Sequence, residues 1–576
     1  MKAHSVSRRA ASMLAGSVAA IAFAAETPTP VDSTVYELPK YTVTNPLELP
    51  APESWRYARI PGFEVLSNAS DRATQRFLRD FQLMQQVIDI TWPVLRRAGP
   101  PLPTTLILTS GGKAARPFLR PAGKLVGDID VFEFEEFDPD DPLRAKFGPG
   151  GVSSQLFANE EQACIVLNLG HDGRGQTDPY RQFYDRYVRY LMSRFDAPSP
   201  PWLVEGVASL FAGIDYTDKW IEFGVLGRGD DDFSQRLTPK APAMDSSGDT
   251  SMVPPPLISR LGTFPSLAAM LTASEGQLRS DLKLSTLAQA FVHMCLYGRG
   301  LKYQKPLFRY LDRVRGGPGT EEIVRECFGM SIAKLQEEVQ GYSAFTDYRS
   351  IQFRAQKGAR LAPPPEVALR AATPAEIGRI KGDGLLLAGN RNAAFLELLA
   401  PYVRKQPDCD LLASLGLFEL QSESSARAQR GRKLLEAAVS GGTTRARAYL
   451  ELTRLSLSEQ VGPMEEARRA QILAWLRKAV SMPPPLLGAY ELLASLWWET
   501  EMKPPATDLV LLEQGVRRFP GQLALVYRTA QLCAEGGRVA QAAALAEWGE
   551  RAAREPKDRQ RFAELRAKLP AAPNAK

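Results

Sequence analysis

Histidine is almost absent from this chain. There are three in 576 residues, His4, His171 and His293. A metal centre built chiefly from imidazoles is excluded unless these few converge. Cysteine is scarce too: Cys164, Cys295, Cys327, Cys409 and Cys533, odd in number, widely spaced, with no CxxC. That excludes a disulfide scaffold and a cysteine zinc site, and the five read as small, buried, apolar residues. No Lys/Arg block is interleaved with aromatics, and the net charge of +6 is spread along the chain, so nucleic acid is not the expected partner. Beyond the N-terminus no apolar run approaches the ~20 residues that span a bilayer. GGPG and GRG are turns outside any strand-to-helix setting, and the acidic stretch 132–141 lacks the spacing of a calcium loop.

What is present begins with a charged-then-apolar start. Lys2, Arg8 and Arg9 precede an Ala-rich run from Ala10 to Ala22, and Ala22-Phe23-Ala24 or Phe23-Ala24-Ala25 offers small residues for cleavage. This order reads as a secretory signal over 1–25, so an exported protein, periplasmic or secreted, is expected. Residues 26–53 are rich in Pro, Thr and Val and read as an extended linker. From residue 54 to 350 strand and helix patterns alternate. GFEVLSNAS alternates like a strand and DRATQRFLRDFQLMQQVIDITWPVL has a helical period, with Asp71 as the expected N-cap. LPTTLILTS and ACIVLNLG read as further strands, KWIEFGVLGRG as a strand or hairpin, and FPSLAAML and LKLSTLAQAFVHMCLYGRG as helices.

After a second expected linker, 351–371, strand signals stop. Residues 372–570 are helical and self-similar. Val403, Val439, Val480, Val516 and Ala553 recur at steps of 36, 41, 36 and 37, each just before a polar turn. This resembles tetratricopeptide repeats, whose helix pairs run ~34 residues. Four to five helix pairs are expected, stacked around one continuous core and leaving a concave face for a partner.

The stretch RQFYDRYVRYLMSRFDAPSPPWLVEGVASLFAG, Arg181 to Gly213, reads as a helix, a Pro-rich turn and a second helix. It resembles the peptidase MA-like, or gluzincin, domains that often accompany tetratricopeptide repeats. Trp202-Leu203, Glu205-Gly206, Ala208 and Phe211 match their second helix, and DRYVRYLM (185–192) lies where their HExxH helix would be. The resemblance extends over roughly 54–350. In such sites two His at i and i+4 hold zinc, a Glu beside the first is the general base, and a Glu from the next helix is the third ligand. Here Asp185 occupies the first His position, Arg186 the Glu position and Arg189 the second His position. Only Glu205 is retained. A guanidinium neither ligates zinc nor accepts a proton.

The expected fold is therefore α+β: a gluzincin-like mixed α/β domain without its zinc site, followed by an all-α TPR-like helical solenoid. No catalytic residue, metal or cofactor is expected. Asp185, Arg186, Arg189, Trp202 and Glu205 are the expected residues of the former cleft, with Arg189 bridging Asp185 and Glu205 where the metal would have been. His171 reads as a surface-loop residue and His293 as a buried, hydrogen-bonded one. The implied function is a pseudo-metallopeptidase that binds a protein or peptide through the solenoid's concave face or the former cleft. The alternative is a hydrolase with a rebuilt metal site drawing on His171 and His293.

Overall fold

The structure, a computed structural model, describes residues 38–41, 49–93, 95, 102–118, 154–170, 179–195, 199–212, 214–216, 220–223, 264–314, 319–344, 351–354, 364–460, 462–499, 503–553 and 555–569. The signal segment, the acidic stretch 132–141 and His171 lie outside the described residues. The described residues, from Leu38 onward, form one compact unit. It is a mixed protein, predominantly helical with a six-stranded sheet, and so α+β.

The sheet runs β4 (Ser154–Ala158), β5 (Ala163–Asn168), β3 (Thr104–Thr109), β2 (Phe63–Ser67), β1 (Arg56–Ile60), β9 (Arg370–Ala371). The three central strands β2, β3 and β5 are parallel, and β1, β4 and β9 are antiparallel to their neighbours. Both faces are buried, which is why the strands read as near-continuous apolar runs. Side chains alternate between two cores. Val65, Leu106, Leu108, Ile165 and Leu167 enter one; Tyr57, Leu66, Ile107, Cys164 and Val166 enter the other.

The first core is closed by α1 (Asp71–Thr91) and α2 (Pro179–Ser193). Their Phe81 and Phe183 meet edge-on at 5.1 Å, and Phe81 meets Tyr187 the same way at 5.1 Å. Ser70, not Asp71, caps α1: its side chain accepts from the Ala73 amide. Asp71 is the first helical residue, placed to meet the positive helix end and paired with Arg56 at 3.0 Å. Apart from single turns at Gly112–Ala115, Arg116–Phe118 and Arg299–Leu301, the other described helices of this half are α3 (Pro201–Ala212), α4 (Leu267–Thr272), α5 (Glu275–Ser280), α6 (Leu282–Tyr297), α7 (Gln304–Val314), α8 (Glu321–Phe328) and α9 (Ile332–Ala344). β6 (Asp215–Tyr216), β7 (Trp220–Phe223) and β8 (Ile351–Arg354) make a second, antiparallel sheet.

The second core lies behind the main sheet and belongs as much to the C-terminal helices. These are α10 (Pro374–Leu387), α11 (Arg391–Val403), α12 (Cys409–Leu420), α13 (Ser425–Ser440), α14 (Ala446–Ser458), α15 (Glu466–Ser481), α16 (Leu487–Trp498), α17 (Ala506–Arg518), α18 (Leu523–Glu535), α19 (Val539–Ala552) and α20 (Pro556–Lys568). Among the described residues they pack as five successive pairs, α10 with α11 through α18 with α19, and α20 closes the end. The repeating Val403, Val439, Val480 and Val516 all fall in the last turn of the second helix of a pair, and Ala553 just after one. The sheet-facing helix α10 comes close because of Gly384. A Cβ there would lie 2.9 Å from Cys164 Sγ and 3.0 Å from Ile107 Cδ1.

Neither expected linker is a free connection. The stretch 351–371 supplies β8 to one sheet and β9 to the other. In 26–53, Tyr41 bonds to Glu419 of α12, and Glu53 to Lys381 of α10. Short segments of two to four residues take their structure from the edge or helix they join, so no period of their own announces them. All five cysteines are free, four of them buried.

Candidate functional site

Helix α3 begins on Pro201, whose fixed φ suits the first turn of a helix. It is buried almost all round, including Trp202, Leu203, Glu205, Val207, Ala208, Leu210 and Phe211, as an inner helix must be. It lies against α6 at Gly206. A Cβ on Gly206 would stand 2.6 Å from the Ala288 carbonyl oxygen and 2.6 Å from Val292 Cγ2. Trp202 is 1% exposed, its ring 5.4 Å from Phe291 and 6.1 Å from Tyr310. The expectation that Trp202 lines a cleft is corrected: it is a core residue, turned into the aromatic packing beneath α6 and α7.

Helix α2 presents Asp185 and Arg189 one turn apart toward α3. The Arg189 guanidinium donates from Nε to Asp185 Oδ2 at 2.8 Å and from Nη2 to Asp185 Oδ1 at 3.1 Å. Nη2 also donates to Glu205 Oε2 at 2.8 Å. Ser209 Oγ, one turn further along α3, donates to Glu205 Oε1 at 3.4 Å. Arg189 and Glu205 are each only 7% exposed, while Asp185 is half-buried. Burial works against the guanidinium's charge, but the two carboxylates overcome it, and its pKa rises above the ordinary arginine value. Arg189 is thus permanently cationic and satisfied on both sides. Arg186, the next residue of α2 after Asp185, is half-buried.

His293 sits on α6, fully buried, with Nδ1 2.8 Å from Tyr342 Oη. Burial lowers its pKa to about 3, so the ring is neutral at physiological pH. Among the described residues no group of three or more His, Cys, Asp or Glu side chains is placed to hold a metal ion. Nor is any described helix long and apolar enough to cross a membrane.

Two further charged assemblies lie between the sheet and the C-terminal helices. Arg445, the N-cap residue of α14, donates to Glu161 at 2.9 Å and to Asp383 of α10 at 3.1 Å, and also to Ser414 of α12. All three acceptors are buried. Lys381 stands between Glu53 at 2.9 Å and Glu397 at 2.6 Å, beside a cavity of about 470 Å³ walled by Trp55, Phe118 and Leu385. Burial drives the Glu397 pKa upward against the pull of Lys381. One signal for both was present: Lys381 and Asp383 interrupt the apolar helix EIGRIKGDGLLL, and polar residues on a buried face require partners. Which partners, no local pattern says. No family model matches the chain, and no curated protein matches it either.

Proposed function

We propose that this chain is an exported, non-catalytic pseudo-metallopeptidase, a protein- or peptide-binding scaffold that joins a gluzincin-like domain to a TPR-like repeat. The observation that carries the reading is the Arg189 bridge. A zinc site at this helix pair would need donors at 185 and 189 and an open position for water. Instead a guanidinium fills the space between Asp185 and Glu205 and turns Glu205 into its counter-ion. Nor does the general-base position beside the first ligand hold a base, because residue 186 is an arginine.

The matching signature supports this reading in a second way. Gly206, Trp202 and Phe211 answer to packing: they let α3 lie against α6 and fill the core. These residues therefore serve the fold whether or not a metal is present, whereas His or Glu at 185, 186 and 189 would serve only the chemistry. The paired C-terminal helices supply the surface for a partner.

The test is metal content of the mature chain, purified without chelator and without a histidine tag, together with a broad peptidase and esterase screen. Zinc below about a tenth of an atom per chain, with no turnover, is expected. Stoichiometric zinc lost on Glu205→Ala would overturn the proposal and return the hydrolase reading.

A further inference from the structure

Four residues of the leading arm, Leu38–Tyr41, lie on helices more than three hundred positions later in the chain, and the way they are held is that of a bound peptide. Tyr41 donates its hydroxyl to Glu419 Oε1 at 3.1 Å. Its ring stands edge-on to Tyr402 at 5.3 Å and tilted to Phe395 at 6.4 Å, with the Arg430 guanidinium 5.3 Å above it. Tyr402 donates its hydroxyl to the Pro39 carbonyl at 2.6 Å. Recognition is thus divided between one backbone carbonyl and one side-chain pocket, the division used for extended peptides.

The receptor half has contacts of its own besides those of the arm. Glu419 is wholly buried, and its charge is met from α13 by Arg427 at 3.0 Å and Arg430 at 3.2 Å. Arg427 also lies over the Phe395 and Phe418 rings at 5.8 and 5.5 Å, which fixes the wall in place. The arm residues themselves are half-buried or, at Lys40, exposed. They lie at the surface, with Leu38 and Tyr41 packed on the edge of the second core.

We propose that the groove between α11, α12 and α13 is a binding site for an extended peptide bearing a tyrosine, and that the chain's own Leu38–Tyr41 fills it in cis. This rests on the scaffold reading and names where on the repeat the partner sits. A tethered segment competes at an effective concentration of order millimolar, so a partner peptide displaces it only by binding better or in excess. The pocket selects tyrosine because the phenol meets a buried carboxylate that phenylalanine leaves without that bond.

The experiment uses the full mature chain and a fluorescent peptide of sequence YELPKYTV, residues 36–43. By anisotropy the peptide binds Tyr41→Ala at least tenfold more tightly than it binds the unaltered chain. A peptide with Phe in place of the second Tyr binds about tenfold more weakly. No binding to the variant, or equal binding to both proteins, overturns the proposal. So does a concentration-dependent dimer of the unaltered chain that Tyr41→Ala abolishes, since the arm would then be exchanged between copies. Hydrogen exchange on the unaltered chain decides the matter if the variant is misfolded by circular dichroism: excess peptide should raise exchange at Leu38–Tyr41 while α12 stays protected, and an unchanged arm refutes the site. Metal content is read separately. A zinc-free chain that ignores the peptide fails this inference alone, and a zinc-loaded chain that binds it fails only the pseudopeptidase reading.

Discussion

At the scale of single residues, Arg189 and His293 show two opposite ways of burying an ionisable group. Arg189 keeps its charge by holding two carboxylates. Arg189→Ala would leave Asp185 and buried Glu205 without that cation, a loss of about 3–5 kcal/mol. Urea unfolding reads it as a lower midpoint, and adding Glu205→Gln and Asp185→Asn should recover a large part. If the single variant is as stable as the parent, the bridge contributes nothing. His293 instead gives up its charge. Its pKa falls from 6.5 to about 3 through burial, so between those values the unfolded chain takes a proton that the folded chain refuses. Stability from this group therefore drops as pH falls through that window, by about 2 kcal/mol at pH 5. His293→Asn, which can still bond Tyr342, should flatten that part of the stability-against-pH curve, and an unchanged slope would place the dependence elsewhere. The Asp185–Arg189 half of the bridge was legible in the sequence, because i and i+4 on one helix fix which side chains meet; the Glu205 half came only through the resemblance of the helix pair. The direction of Trp202 was not, since a matched motif says which residue is kept and not whether it faces a cleft or a core.

At the scale of elements, periodicity carried the reading wherever a segment was long enough to repeat. Helix α1 and strand β2 fall where the helical period and alternation put them, β3 and β5 fall on short apolar runs rich in β-branched residues, and the recurring valines mark the ends of successive helix pairs. β8 and β9, four and two residues long, have no such period and exist because β7 and β1 offer edges. The α2–α3 pair makes a sharper prediction. Its helices already bring residues 185 and 189 to Glu205, as the Arg189 bonds demonstrate. Replacing D185H, R186E and R189H together should convert the pair into a zinc site holding about one ion per chain, measured by elemental analysis, with loss of the metal on further change of Glu205→Ala. A folded triple variant that takes up no zinc would mean that the helix pair lacks the geometry of the gluzincins, and the gluzincin-like reading proposed for it would fall.

At the scale of the whole molecule, the two halves read from the sequence as separate domains share one core. Tyr57, Leu66, Ile107, Phe157, Cys164 and Val166 of the sheet are buried in the same cluster as Leu385, Leu398 and Leu415 of α10, α11 and α12. Composition could not reveal this, because an apolar strand face looks the same whether a helix of its own half or of a later segment covers it. Arg445 fastens the same seam, joining Glu161 of the β4–β5 turn to Asp383 of α10. Two consequences follow from the shared core. Arg445→Ala should cost about 3 kcal/mol, because it removes the cation shared by two buried carboxylates and leaves only Arg447, 3.8 Å from Glu161, and the charge of Arg379 near Asp383, and the loss should be felt by probes in both halves at one urea midpoint. A chain ending at residue 371 should fail to fold: its sheet would expose a row of large apolar side chains to water at about 25 cal/mol per Å² of uncovered surface. The expected signs are precipitation on expression or strong binding of a hydrophobic dye. A soluble, monomeric 26–371 fragment with the far-ultraviolet spectrum of the parent's first half would show that the seam is a docked interface between independent domains, and that α10 covers a sheet able to stand without it.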